Sequence, residues 1–165
     1  MSDRVIIVVE MGFAALWTAI LFTAVPGWLP VPQGPFVETA MLAFLGPGLV
    51  LGVMVMAVGL HRFLGNDAPE GGGFHGPRAK INQRVLINST EQTVLALAIW
   101  PAAALQLGER GPEILIAMSC SFVLARLLFW AGYHLRPALR AFGFAATFYP
   151  TMALGIWGAV RAMGA

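Results

Sequence analysis

The sequence predicts an all-α integral membrane protein, and three observations carry that prediction. Of its 165 residues 58% are hydrophobic and only 11% charged, whereas a soluble domain carries about 25% charged residues. The charges are clustered, most of them between His61 and Arg84 or between Arg126 and Arg140, so long stretches have none. Those stretches also have the right length, because a hydrocarbon core about 30 Å thick needs roughly 20 apolar residues of helix. Five such runs fit into one membrane domain and leave room for little else. The net charge of +2 is too small and scattered for a nucleic-acid partner; the basic residues set orientation instead.

The first run goes from Val5 to about Val25, interrupted only by Glu10. No small-x-small cleavage site follows, so it reads as a retained helix and not a signal peptide. Pro26, Pro30, Pro32 and Pro35 then break the helix and form a rigid connection. The second run goes from about Glu38 to Phe63, and Gly46, Pro47 and Gly48 are expected to bend it, as membrane helices tolerate. The segment His61 to Lys80 holds Gly71, Gly72 and Gly73 and is expected to be an aqueous loop. No Gly-Lys-Ser/Thr follows, which excludes a phosphate loop.

The third run, Val94 to Leu107, has only 14 residues and spans about 21 Å as a helix. To cross the hydrocarbon it must draw Glu91 and Asn88 to the boundary or inside, and Pro101 is expected to kink it. The loop Gly108 to Pro112 leads to the fourth run, Glu113 to about His134. Pro137 marks the next turn, and the fifth run goes from about Leu139 to Ala162. The single cysteine, Cys120, lies in an apolar run and reads as a packing residue.

Five spans put Arg4, Arg62, Arg78, Lys80, Arg84, Arg136 and Arg140 on one side, and Arg110 and Arg161 on the other. The positive-inside rule makes the first side cytoplasmic, with the N-terminus inside and the C-terminus outside. The high Ala and Gly content with a short N-terminal tail points to a bacterial inner membrane.

Arg84, Asn88 and Glu91 stand at i, i+4 and i+7 and share one helix stripe. A charge facing lipid at the helix centre costs roughly 2.5–3.5 kcal/mol. The stripe therefore faces another helix, as a packing clamp, or a wet crevice, as a ligand site. On the fourth helix Arg126, Phe129 and Tyr133 share a face, with Arg136 and Arg140 just beyond. Taken singly, Tyr133 is an interfacial anchor and the arginines are orientation charges. Together they form a cluster of cations and donors at one membrane depth, suited to an anionic polar ligand from the cytoplasm beside an apolar one held in lipid. Glu10 is either a functional intramembrane carboxylate or, the favoured reading so near the helix start, a group reaching the interface. His61, His75 and His134 lack metal-ligand spacing, and no metal is expected.

The run Arg84-Val-Leu-Ile-Asn88-Ser-Thr-Glu91 resembles the Arg-x-x-x-Asn-x-x-Glu signature of the MAPEG family, membrane-associated proteins in eicosanoid and glutathione metabolism. The run Ala125-Arg126-Leu-Leu-Phe129-Trp-Ala-Gly132-Tyr133 is similar to the Ala-Arg and Gly-Tyr pattern on that family's last helix but one. Arg140, seven residues after Tyr133, falls where leukotriene- and prostaglandin-forming members carry a catalytic arginine. The resemblance implies a four-helix bundle of MAPEG type over residues 38–165, with residues 1–37 as an additional N-terminal transmembrane helix and Pro-rich connection. It also implies a homotrimer with glutathione, as cosubstrate, in a cytoplasm-facing crevice between neighbours. Arg84, Asn88, Glu91, Arg126 and Tyr133 are then the glutathione-binding residues, and Arg140 is the catalytic residue that stabilises the thiolate.

Two departures bear on specificity. Gln92 stands where leukotriene-forming members have tyrosine, and Phe129 replaces another tyrosine. The implied activity is a glutathione-dependent detoxifying transferase, or peroxidase, acting on lipophilic electrophiles dissolved in membrane lipid. The alternative is a non-catalytic member that binds a lipid or a partner through the same crevice. A small transporter fits less well, since neither an internal repeat nor paired broken helices occur in the sequence.

The loop arginines predict an orientation that labelling can check. A cysteine at Gly72 should react with an impermeant maleimide only after the cytoplasmic face is opened, and one at Gly111 from outside. The reverse pattern would overturn the five-span count.

Overall fold

The computed structural model describes residues 2–24, 28–29, 34–64 and 76–164. Five long helices follow one another: α1 (Asp3–Thr23), α2 (Phe36–Leu64), α3 (Pro77–Leu105), α4 (Gly111–Leu135) and α5 (Arg140–Gly164). Single 3-10 turns, Gly108–Arg110 and Pro137–Leu139, precede α4 and α5, and no strand occurs among the described residues. Even α1, with 21 residues, is about 32 Å long and can cross a hydrocarbon core. Among the described residues α1, α2 and the stretch Gly108–Leu135 are long and apolar enough to cross a membrane. The helices α3 and α5 are 29 and 25 residues long and pack beside them in the same bundle.

Pro26, Pro30 and Pro32 lie outside the described residues, as do Gly71, Gly72, Gly73 and His75. The loop expected over His61 to Lys80 is shorter at both ends, because α2 runs on to Leu64 and α3 already starts at Pro77. Proline suits a first helical position, where its missing N–H would have no partner. Gly76, at φ 98°, turns the chain into the helix in a conformation that other residues avoid. Helix α2 continues through Gly46, Pro47 and Gly48, and α3 through Pro101.

Side-chain bonds fix the helix directions. Between α3 and α4 the partners draw apart in sequence toward the start of α3: Asn88 meets Arg126, while Asn82 Oδ1 accepts from Trp130 Nε1 at 2.9 Å and lies 2.8 Å from His134 Nε2. The two helices are antiparallel. Between α3 and α5 the separation is steady, with Trp100 on Thr151 (51 residues on) and Gln106 on Gly158 (52 residues on), so they run parallel. Trp100 is the centre of the apolar core. It is 1% exposed, stacks on Phe44 at 5.6 Å, meets Phe122 edge-on at 5.9 Å and donates to Thr151 Oγ1 at 3.0 Å. One side chain thus ties together α2, α3, α4 and α5.

Helix α1 packs on α5 and α4. Ile6, Ala14 and Leu21 are its buried residues, and three polar contacts hold it. Asp3 pairs with Arg136, Glu10 Oε2 accepts the Phe142 N–H at 2.9 Å, and Trp17 Nε1 donates to Ser121 Oγ at 2.7 Å. The Glu10 side chain is half-buried on this side of α1. It is turned toward protein, and caps one of the first backbone N–H groups of α5, which have no partner inside their own helix. In hydrocarbon, where water is missing, such a donor needs a partner from the protein. Cys120 corrects the sequence reading: it is exposed on α4 and is not a core packing residue.

One labelling position must move. A Cβ at Gly111 would stand 2.3 Å from the Ala104 carbonyl oxygen, so a cysteine belongs at the exposed Glu109 of the same connection.

The attachment of α1 predicts measurable losses. Trp17→Phe removes one buried-end hydrogen bond, about 1 kcal/mol, and Glu10→Ala removes a helix cap, roughly 0.5–2 kcal/mol. Each should lower the unfolding midpoint in detergent, and together they should open α1 to limited proteolysis. Parental midpoints and protease resistance in the double variant would show that α1 is held by apolar packing alone.

Candidate functional site

The site grows from a close crossing of α4 and α5. A Cβ on Gly143 would stand 2.5 Å from Phe129 N and 2.6 Å from the Ala125 carbonyl oxygen. Only glycine permits that approach, and it brings the Gly143 carbonyl beside Arg126. A Cβ on Gly132 would stand 2.6 Å from the Leu139 carbonyl oxygen, so Gly132 lets the turn Pro137–Leu139 fold back on α4. The small residues of the Ala125-to-Tyr133 pattern are thus the points where backbones touch.

Arg126 lies within this crossing at 0% exposure. Its Nη1 donates to Asn88 Oδ1 at 2.9 Å, and its Nη2 donates to the Gly143 carbonyl at 2.6 Å and to Thr147 Oγ1 at 2.8 Å. The guanidinium also lies 4.5 Å from the Phe129 ring centroid and 6.0 Å from that of Phe122. Carbonyl, hydroxyl, amide and ring faces offset the cost of burying the charge; Nε is left without a hydrogen-bond partner. Arg126 had been expected to touch ligand. Its burial and its partners instead make it a clamp on α3, α4 and α5 that holds Asn88 from behind.

In front of the clamp opens a cavity of about 580 Å³. Arg84, Asn88, Tyr133 and Arg140 line it, together with Phe129, Phe144, Phe148 and Tyr149. Four of the six expected site residues therefore meet at one cavity. Arg140, exposed at the first residue of α5, rests 4.6 Å from the Tyr133 ring centroid. Neither Arg84 nor Arg140 has an ion-pair partner among the described residues. Arg136, four residues before Arg140, is different, since it pairs with Asp3. Glu91 is exposed and stands outside the cavity lining; its Oε2 accepts from Asn88 Nδ2 at 3.3 Å. A line of contacts thus runs from Glu91 through Asn88 and Arg126 to Thr147.

The two departures fall in different places. Phe129 lines the cavity, so a hydroxyl is missing there. Gln92 is only 3% exposed and does not line it. Sequence reasoning missed Gly143 and Thr147. A small residue and a hydroxyl at i and i+4 on α5 were the available signal, too common to be singled out. It also missed Ile7 and Met11 of α1, which line the same cavity.

Such a cavity offers two guanidiniums without ion-pair partners among the described residues, an amide, a phenol and several aromatic rings. It suits an anionic, hydrogen-bonding ligand next to an apolar one. A family model described as MAPEG family matches residues 37–160. Neither a curated protein nor a solved structure matches the chain.

The clamp predicts a contrast between two arginines. Arg126→Lys keeps a buried charge but cannot reach all three acceptors, and a lost charged hydrogen bond costs about 1.5–3 kcal/mol. Arg84→Lys, at an exposed position, should change stability by less than about 0.5 kcal/mol. Denaturant unfolding in detergent measures both, and equal effects would remove Arg126 from its role as clamp.

Proposed function

The chain belongs to the MAPEG family, and on that premise we propose that it is a glutathione-dependent membrane transferase acting on lipophilic electrophiles dissolved in the bilayer. The observation that carries this reading is the cavity where Arg84 and Arg140, lacking ion-pair partners among the described residues, stand beside Asn88 and Tyr133. Glutathione has two carboxylates and two amides, and guanidiniums bind carboxylates through fixed pairs of donors. Arg84 takes a carboxylate, Asn88 an amide, and the Tyr133 hydroxyl a further hydrogen bond. Arg126 serves as a positioning residue, since it holds Asn88 without reaching the ligand. Glu91, beside Asn88 at the exposed edge, suits the ligand's ammonium.

The cosubstrate brings the nucleophilic thiol. The protein's task is to hold that thiol ionised and close to the electrophile. A free thiol has a pKa near 8.5, so only a few per cent is ionised at pH 7. Lowering it by about two units needs roughly 2.7 kcal/mol of preferential stabilisation of the anion. We assign that role to Arg140, which stays charged and stands at the start of a helix, where the peptide dipoles also favour an anion.

The exposed stripe supports a homotrimer. Arg84 and Glu91 are exposed on a single chain whose other exposed faces are largely apolar. Against lipid they are costly, and a neighbouring copy would shelter them. With the basic loops inward, the cavity mouth opens to the cytoplasm. A binding protein of the same family, without turnover, is the competing reading, and the replacement at Phe129 favours it by leaving one hydroxyl fewer at the cavity.

Calorimetry of the purified protein with glutathione, followed by thiolate absorbance at neutral pH, decides between them. Arg140→Ala should keep most of the glutathione affinity, while thiolate absorbance and turnover fall together by roughly tenfold or more, as loss of about 1.4 kcal/mol or more requires. Arg136→Ala, which loses only an exposed ion pair, should behave like the parent. A bound but un-ionised thiol in the parent would favour the binding-protein reading.

A further inference from the structure

The cavity has a wall that comes from outside the matched residues. Ile7 and Met11 of α1 line it, while the family match starts only at residue 37. The two residues stand at i and i+4, one helical turn apart on one stripe. Their contribution is chemically simple: branched carbon from Ile7 and a thioether from Met11, with no donor or acceptor for glutathione. To the same lining α5 supplies Phe144 and Phe148, stacked at 5.5 Å, and Tyr149.

This wall is fixed. Asp3 on Arg136 lies before Ile7, Glu10 on the Phe142 N–H lies between Ile7 and Met11, and Trp17 on Ser121 lies beyond. Without α1 that side of the cavity would meet mobile lipid chains, which set no limit to the size of an apolar molecule. With α1 tied at three points, two partly exposed side chains, Ile7 at 37% and Met11 at 42%, stand in that place.

We infer that α1 is the steric gauge for the lipophilic co-substrate, with Ile7 and Met11 as the specificity-determining residues on the α1 side of the cavity, level with the start of α5. The inference rests on the transferase reading, and it concerns the electrophile and not glutathione. Met11 is the better probe, because its unbranched side chain can be shortened or enlarged without a β-branch to reposition.

The test uses the full-length protein in lipid nanodiscs with glutathione and two vinyl ketones, one bearing phenyl and one naphthyl. In this reaction the thiolate sulfur bonds to the β-carbon and the alkene π pair moves onto the enolate. A proton then adds at the α-carbon, and no group leaves. Met11→Ala should raise the naphthyl-to-phenyl ratio of kcat/KM by roughly tenfold, and Met11→Trp should lower it by a similar factor, the scale set by small volume changes in an apolar pocket. Val8→Ala, on the neighbouring surface of α1 at 68% exposure, should leave the ratio as in the parent, and glutathione affinity should be the same in all four proteins. Should both Met11 variants keep turnover with the ratio within about twofold of the parent, the gauge is overturned and the transferase reading stands. Absence of turnover in the parent, with either ketone, overturns the transferase reading and the gauge together.

Discussion

A guanidinium that never reaches water has to be satisfied by protein, and the bundle is arranged around that requirement at Arg126. Three helices contribute to it: Asn88 from α3, the Phe122 and Phe129 rings from α4, and the Gly143 carbonyl with Thr147 from α5. The contacts are possible only because Gly143 lets α5 lie against the backbone of α4. Once that crossing is set, so is the depth at which α3 passes, and with it the placement of Asn88 at the cavity. Residues that line the cavity and residues that hold the helices are thus separated by a single side chain.

The membrane gives this arrangement its economy. In water a mis-set polar group finds a solvent partner, but in hydrocarbon it does not. Several polar residues of α3 and its C-cap find partners on other helices: Asn82 with Trp130 and His134, Asn88 with Arg126, Trp100 with Thr151, and Gln106 with Gly158, whereas Ser89 Oγ and Gln92 Oε1 are buried without one. Apolar packing against lipid-like surroundings gives little preference for one register over another. The hydrogen bonds supply that preference. Arg84 and Arg140 stand apart from this ladder, without ion-pair partners among the described residues, and that contrast sets the cavity apart from the packed interior.

The additional helix obeys the same logic. It has few buried residues of its own, and it is attached where α5 needs help, at the unpaired N–H groups of its first turn. Glu10 meets that need from another helix. In doing so α1 adds Ile7 and Met11 to the flank of the cavity, so a stabilising contact and part of the cavity lining come from one element.

The sequence by itself determined the membrane class and the five helical segments, because twenty-residue apolar runs and clustered charges have few other physical solutions. It also marked Arg84, Asn88, Tyr133 and Arg140, since polar residues at helical spacing within an apolar run stand out by cost alone. It located loop ends less well: α2 and α3 extend into a stretch whose polarity resembled a loop, because helix continuation depends on local caps such as Gly76 and Pro77. Which arginine is buried and which is open was not legible. Arg126 and Arg140 look alike in sequence, and only the approach of Gly143 to α4 encloses the first and leaves the second at the cavity. The role of Glu10 and the wall formed by Ile7 and Met11 were likewise decided by tertiary structure. Periodicity tells which residues share a face of one helix, but the neighbour that face meets depends on packing between separate helices, 17 residues apart for Arg126 and Gly143 and 132 for Glu10 and Phe142.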